Sequence, residues 1–267
     1  MTDLTEFKTW VYLNCSSPES AETHYQKVKA FFLHREEFNQ STLNSFLLEK
    51  QEKWSNSSLN IYINAFKWYA KYLKMEIEFP KFRKTDVKVK TYITQKELQE
   101  IFDKLSLIFD NPLKIQVILL LLFEGGLRPK ELLNLKRNDI EFTTKNLIIR
   151  NTKVKRDRQI PLSDNLCKLL IVFFNNEAEI DNAFNLSKYM LKYIFQRINQ
   201  CLNLKNKLNP YSFRHSFAHN MIKNGINLSS LQLKLGHATV LTTMNYLRVN
   251  DQEASDEMRD ILNKRKR

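Results

Sequence analysis

The sequence predicts a mainly α-helical chain with one small β-hairpin, divided into two domains, and three observations carry that reading. Glycine is scarce, with four in 267 residues, so few positive-φ turns are available and few hairpins can close. Apolar residues recur at helical spacing almost throughout, and only NLIIR (146–150) and RQIPL (158–162) read as strands. A basic, proline-containing stretch without helical period, residues 76–92, separates residues 1–75 from residues 93–267.

The first domain reads as four helices. Leu4, Phe7, Trp10 and Val11 form one stripe, and Ser17 with Pro18 opens a second helix carrying Val28, Phe31 and Phe32. Ser41 opens a third, with Leu43, Phe46 and Leu47 inward. Ser57 or Ser58 opens a fourth, with Leu59, Ile63, Phe66, Ala70 and Leu73 inward. Opposite that last stripe stand Lys67, Lys71 and Lys74, which on charge alone fit a solvated face. The second domain starts at a capping box, Thr94 to Glu97, with Ile93 and Leu98 as its hydrophobic staple. A helix near 112–124 is apolar nearly all round and is expected to be central. A Gly-Gly turn then leads into a short helix, the two strands follow, and the rest is helical: 163–176, 187–202, 212–224, 228–235, 240–248 and a tail near 252–264.

Composition narrows the function classes. Forty-two Lys and Arg against 29 Asp and Glu give +13, a balance that suits a polyanionic partner. Residues 1–84 carry a net +2 and residues 85–267 a net +11. The longest apolar run, Val117 to Phe123, has seven residues, where about 20 are needed to cross a bilayer. The opening MTDLTEFKTW lacks the pattern of a signal peptide. Cys15, Cys167 and Cys201 form neither a zinc spacing nor a disulfide framework. The expectation is a cytoplasmic, metal-free protein. Neither G-x-G-x-x-G nor G-x-x-x-x-G-K-[ST] occurs, which argues against nucleotide-driven chemistry.

Four features carry chemistry. Arg128 follows the Gly-Gly turn at a helix start. Lys153 lies in the basic loop NTKVKRD between the strands. Arg214 sits in PYSFRHSFAH. His237 sits in LGHATVLTTMNY, with Tyr246 nine residues further on. Taken singly, each fits a surface charge, a cap or a packing residue.

Taken together and in this order, they resemble one family, the tyrosine recombinases or phage integrases. GGLR-x-x-E-L (125–132) is similar to the family's first-arginine box, and the hairpin ending in IPL to its lysine hairpin. FRHSFA is similar to its second-arginine box, and LGH with the later tyrosine to its histidine and nucleophile box. The resemblance covers nearly the whole chain. It implies a two-domain clamp around duplex DNA: a four-helix core-binding domain at 1–75, a basic linker at 76–92, and a catalytic domain at 93–267 ending in a tail helix. It also implies site-specific DNA recombination through a covalent 3′-phosphotyrosine, without metal or nucleotide cofactor. With no arm-binding domain ahead of the four helices, it points to the simple Xer or small transposon-integrase type. The partners implied are a double-stranded recombination site and further copies of the chain, two per site and four in the synapse. Localisation would be cytoplasmic, at the nucleoid, with no membrane partner.

The residue types suit this chemistry. The resemblance makes Tyr246 the nucleophile, with Arg128 and Arg214 as guanidinium forks for phosphate oxygens. By the same resemblance His237 would hydrogen-bond the phosphate, Lys153 would protonate the leaving 5′-oxygen, and Glu131, three residues after Arg128, would brace the site. Lys155 and Arg156 are rivals to Lys153 and, with Lys67, Lys71 and Lys74, candidate DNA contacts. One place departs from the family: Tyr211 stands where a histidine usually precedes the second arginine by three residues. Phenol, with an ordinary pKa of about 10, is a poor base at neutral pH but a good hydrogen-bond donor. Two other classes share parts of the pattern, a type IB topoisomerase and a catalytically silent DNA-binding protein. In the tail, Ala254, Met258, Ile261 and Leu262 form an apolar stripe that the resemblance places on a neighbouring subunit.

Overall fold

The computed structural model describes residues 3–84, 92–150, 157–176, 182–202, 207–237, 239, 243–244, 255 and 258–259. The chain divides into two compact units, Met1–Lys88 and Val89–Arg267.

In the first unit, α1 (Thr5–Asn14), α2 (Pro18–Phe32), α3 (Gln40–Gln51) and α4 (Asn56–Leu73) enclose an aromatic core. Phe31 lies at its centre, edge-on to Phe38, Phe46 and Phe66 at centroid separations of 5.1 to 5.6 Å, the arrangement the ring quadrupoles favour. Ser17 caps α2 through the Ser20 N–H, as expected. The starts of α3 and α4 differ from the sequence reading. The Asn39 carboxamide accepts from the Thr42 N–H at 2.9 Å while the Thr42 hydroxyl accepts from the Asn39 N–H at 3.0 Å. This reciprocal box outcompetes Ser41. Ser55 likewise caps α4, ahead of Ser57 and Ser58. Leu73 is exposed and not inward, because α4 ends there, at Lys74 in the left-handed region. Residues 75–84 follow without helix or strand and are tied to this unit by side-chain hydrogen bonds. Asn60 exchanges two 2.9 Å hydrogen bonds with the Arg83 backbone, and Gln40 does the same with Glu78 at 2.9 and 3.0 Å.

The second unit is built around one buried helix. It opens with α5 (Gln95–Phe102), a single turn α6 (Leu105–Ile108) and α7 (Pro112–Gly125). The Thr94–Glu97 capping box forms as the sequence predicts. Every residue from Val117 to Phe123 is buried, and α6, α8, α9 and α11 pack on α7. Next come α8 (Pro129–Leu133), a 3-10 turn (Arg137–Asp139) and a three-stranded antiparallel sheet. The strands are β1 (Ile140–Glu141), β2 (Asn146–Ile149) and β3 (Arg158–Pro161) in the order β1-β2-β3. The register pairs Leu147 with Ile160 and Ile149 with Arg158. β1 is not legible in sequence, since two residues carry no alternation. The unit continues through α9 (Asp164–Asn175), α10 (Lys188–Leu202), α11 (Pro210–Lys223) and α12 (Leu228–Leu235). Among the described residues no helix is long and apolar enough to cross a membrane.

Candidate active site

Two glycines set up the site. Gly126 ends α7 with φ +59°, and a β-carbon there would lie 2.4 Å from the Phe217 ring. Only glycine fits this turn. The turn delivers Arg128 to the start of α8, where its N–H donates to Glu131 Oε2 at 2.7 Å and its Nη1 donates to Glu131 Oε1 at 2.8 Å. Gly236 ends α12 with φ +63°.

The last turn of a helix leaves carbonyls without intrahelical donors, at the negative end of its dipole. Here three successive carbonyls each receive a different guanidinium. Arg158 Nε donates to Lys234 O at 2.7 Å, Arg214 Nη2 to Leu235 O at 2.6 Å, and Arg128 Nη2 to Gly236 O at 2.6 Å. On the other side the same arginines meet Glu131. Arg158 Nη1 and Nη2 grip its two oxygens at 3.0 and 2.8 Å, and Arg214 Nη1 lies 3.9 Å from Oε2. Burial pushes the Glu131 carboxyl up. The hydrogen bond and charge of Arg158, with the N–H and guanidinium of Arg128, outweigh it and hold the group below the ordinary carboxylate value. One carboxylate among three guanidiniums leaves a strongly cationic locus.

Arg214 stands on α11, capped by Asn209, whose carboxamide accepts from the Tyr211 and Ser212 N–H groups. Its side chain is 2 % exposed, against 33 % for Arg128, and Nη1 donates to the Gly126 carbonyl at 2.5 Å. Nη2 also approaches His237 Nε2 at 3.1 Å, while His237 Nδ1 lies 2.8 Å from Thr243 Oγ1. Which of the two ring nitrogens carries the proton follows from the tautomer.

Arg128, Glu131, Arg214 and His237 are therefore brought together, from segments more than 100 residues apart. Tyr211, the second residue of α11, is 54 % exposed, and among the described residues it makes no side-chain hydrogen bond into the cluster. Lys153, Lys155, Arg156 and Tyr246 lie outside the described residues, as does most of the tail stripe. Lys67, Lys71 and Lys74 are exposed on the first unit, Lys67 with its ammonium 4.5 Å from the Phe82 ring centroid and Lys71 5.5 Å from that of Trp68. Sequence reasoning missed two residues, Arg158 and Thr243. A signal for Arg158 existed: it shares a strand face with Ile160, which is buried, so it points inward. Among the described residues no group of three His, Cys, Asp or Glu could hold a metal ion.

Residues 91–253 match the phage integrase family. The chain belongs to that family. It is a tyrosine recombinase of the Xer-like type. It is 30 % identical over 270 residues to the tyrosine recombinase XerA of Pyrococcus horikoshii, an alignment covering 92 % of this chain and 88 % of that protein. It is 27 % identical over 259 residues to XerA of Thermococcus onnurineus, covering 92 % and 90 %. The fold is shared with the Tn1549 transposon integrase, solved in complex with circular intermediate DNA, at a TM-score of 0.74 and 18 % identity over 98 % of this chain and all of that one.

Proposed function

We propose that this tyrosine recombinase cuts and rejoins duplex DNA between paired sites through a 3′-phosphotyrosine on Tyr246. The observation that carries this reading is the convergence of Arg128, Arg214 and His237 around Glu131 and the end of α12. Donors fixed beforehand where charge develops are the largest contribution a protein makes to phosphoryl transfer. Arg128, the most exposed of the three arginines, takes one non-bridging oxygen. Arg214 supplies field from beneath, and its Nη2 beside His237 Nε2 marks the place of the second oxygen.

The Tyr246 hydroxyl gives up its proton to solvent water as its oxygen attacks phosphorus. The bond to the 5′-oxygen breaks, and Lys153 protonates that oxygen. The products are a phosphotyrosine and a free 5′-hydroxyl, and the reverse step with another strand's 5′-hydroxyl completes the exchange. One phosphodiester replaces another, so no nucleotide is needed. Tyr211 donates a hydrogen bond to phosphate and is not the base.

The first unit acts as the core-binding half of a clamp around DNA, with Lys67, Lys71 and Lys74 on phosphates and Lys155 and Arg156 contributing from the hairpin. Copies of the chain pair on each site and form a tetrameric synapse, exchanging the tail helix, in the cytoplasm at the nucleoid. The Tn1549 integrase, seen bound to DNA, supports the DNA partner.

A nicked duplex that traps the covalent intermediate tests the reading. The unaltered chain is expected to form a denaturation-resistant adduct, in EDTA as in magnesium. Tyr246→Phe is expected to form none while binding DNA within about twofold of the unaltered chain, since the ring is kept and one hydroxyl lost. An adduct formed by the Phe variant would place the nucleophile elsewhere.

A further inference from the structure

We infer that Arg158 is a positioning residue for strand cleavage, the part that locks the floor of the lysine-bearing hairpin to both the first-arginine helix and the histidine segment. The inference rests on the recombinase reading above. Its ground is the use of every nitrogen Arg158 has. Nε is spent on the Lys234 carbonyl at 2.7 Å, Nη1 on Glu131 Oε1 at 3.0 Å and Nη2 on Glu131 Oε2 at 2.8 Å. The side chain is 9 % exposed. Three of its five N–H donors are so engaged and Arg128 is 33 % exposed, so of the two Arg158 is the one closed off from a phosphate.

What Arg158 touches is what places the phosphate ligands. Glu131 holds Arg128 by backbone and side chain. Lys234 begins the run of three carbonyls whose next members hold Arg214 and Arg128, and it leads through Gly236 to His237. The Lys234 ammonium returns the contact, donating to the Gln159 carbonyl of the same strand at 2.7 Å. Arg158 pairs with Ile149 at the last described rung of the β2-β3 ladder, so the loop carrying Lys153 springs from a strand pinned at this point. Two parallel N–H donors on one carboxylate fix its plane as well as its place, which an ammonium on a flexible stem cannot do.

If Arg158 acts through Glu131, damage to either should cost the same geometry once. The test uses a nicked duplex captured by the unaltered chain from a pool with a randomised site, and reads adduct rate at saturation, DNA affinity and Tm. Arg158→Lys is expected to slow adduct formation about 100-fold, the scale of a 1 Å misplacement, with Kd within about twofold. Glu131→Gln is expected to lose a comparable factor. Their combination should fall no more than about threefold below the slower single variant, because partners that act as a unit do not add. Ile160→Val, which thins packing on the same strand, should lower Tm yet leave the rate within about twofold. Losses that multiply in the double variant, or an equal rate loss in Ile160→Val, would overturn the inference while leaving the recombinase reading intact. If the unaltered chain captures no duplex, the recombinase reading fails first, and this inference with it.

Discussion

At the scale of single residues, Glu131 is the anion on which the cationic site is balanced. Arg128 from α8, Arg158 from β3 and Arg214 from α11 face it, and His237 lies beyond Arg214. Its carboxyl is held below its ordinary value in the fold. Such a group adds stability that is fully present above the unfolded value, near 4.3, and is lost as pH falls through the folded value. Unfolding free energy should therefore drop on the acid side of about pH 4, and Glu131→Gln should flatten that limb. Denaturant titrations between neutral and acid pH would show it, and an unchanged limb would mean that Glu131 is not held low. Arg214 calls for a different experiment from Arg128. It also satisfies the Gly126 and Leu235 carbonyls, so Arg214→Ala should cost about 1–3 kcal/mol of stability for each buried carbonyl left unpaired, on top of lost cleavage. Arg128→Lys should slow cleavage at a smaller cost in Tm, since Arg128 is more exposed and satisfies one carbonyl where Arg214 satisfies two. Four of the clustered residues were legible because they sit in ordered boxes. Arg158 was not, because the sequence shows its strand but not the carboxylate some 27 residues away that its fork would find.

At the scale of elements, the end of α12 does the organising. Its three final carbonyls hold three arginines, and Gly236 lets them approach: a β-carbon there would lie 3.0 Å from Arg158 Nη1 and 3.3 Å from Arg128 Nη1. Gly225 offers the control, with φ +81° and nothing within 4 Å of such a carbon. Both alanine variants should lose about 1–2 kcal/mol to the left-handed backbone. Only Gly236→Ala should also slow adduct formation, by moving the arginines. Equal kinetics in the two would show that the arginines tolerate displacement. The bounds of α12 were readable from sequence, since Asn227 and Gly236 mark both its ends. The start of α3 was not. Ser41 and Asn39 are both good caps by type, and the choice falls to Asn39 because Thr42, three residues on, completes the reciprocal pair. β1 escaped because its pairing with β2 comes from the tertiary sheet, and two residues hold no period to read.

At the scale of the whole molecule, charge is divided unequally, a net +2 over residues 1–84 against +11 over residues 85–267. If the second half supplied all the binding, the lysines of α4 would be the solvated face that charge alone suggests. Lys67 and Lys71 are exposed on α4 and Lys74 at its left-handed cap just beyond, and the clamp reading puts them on phosphates. Counterion release separates the two possibilities. Each phosphate neutralised adds about −0.9 to the slope of log affinity against log salt on duplex DNA. Replacing all three lysines by alanine should make that slope shallower by about 2 to 3 if they sit on phosphates, and by nothing if they face water. Adduct rate at saturating DNA should stay constant in either case, because none of the three belongs to the arginine cluster. Arg128→Lys should do the reverse, keeping charge and slope while slowing cleavage. Measuring both quantities over a salt series therefore separates holding the duplex from breaking it. An unchanged slope in the triple variant would remove α4 from the DNA-contacting surface and leave the second unit to bind alone.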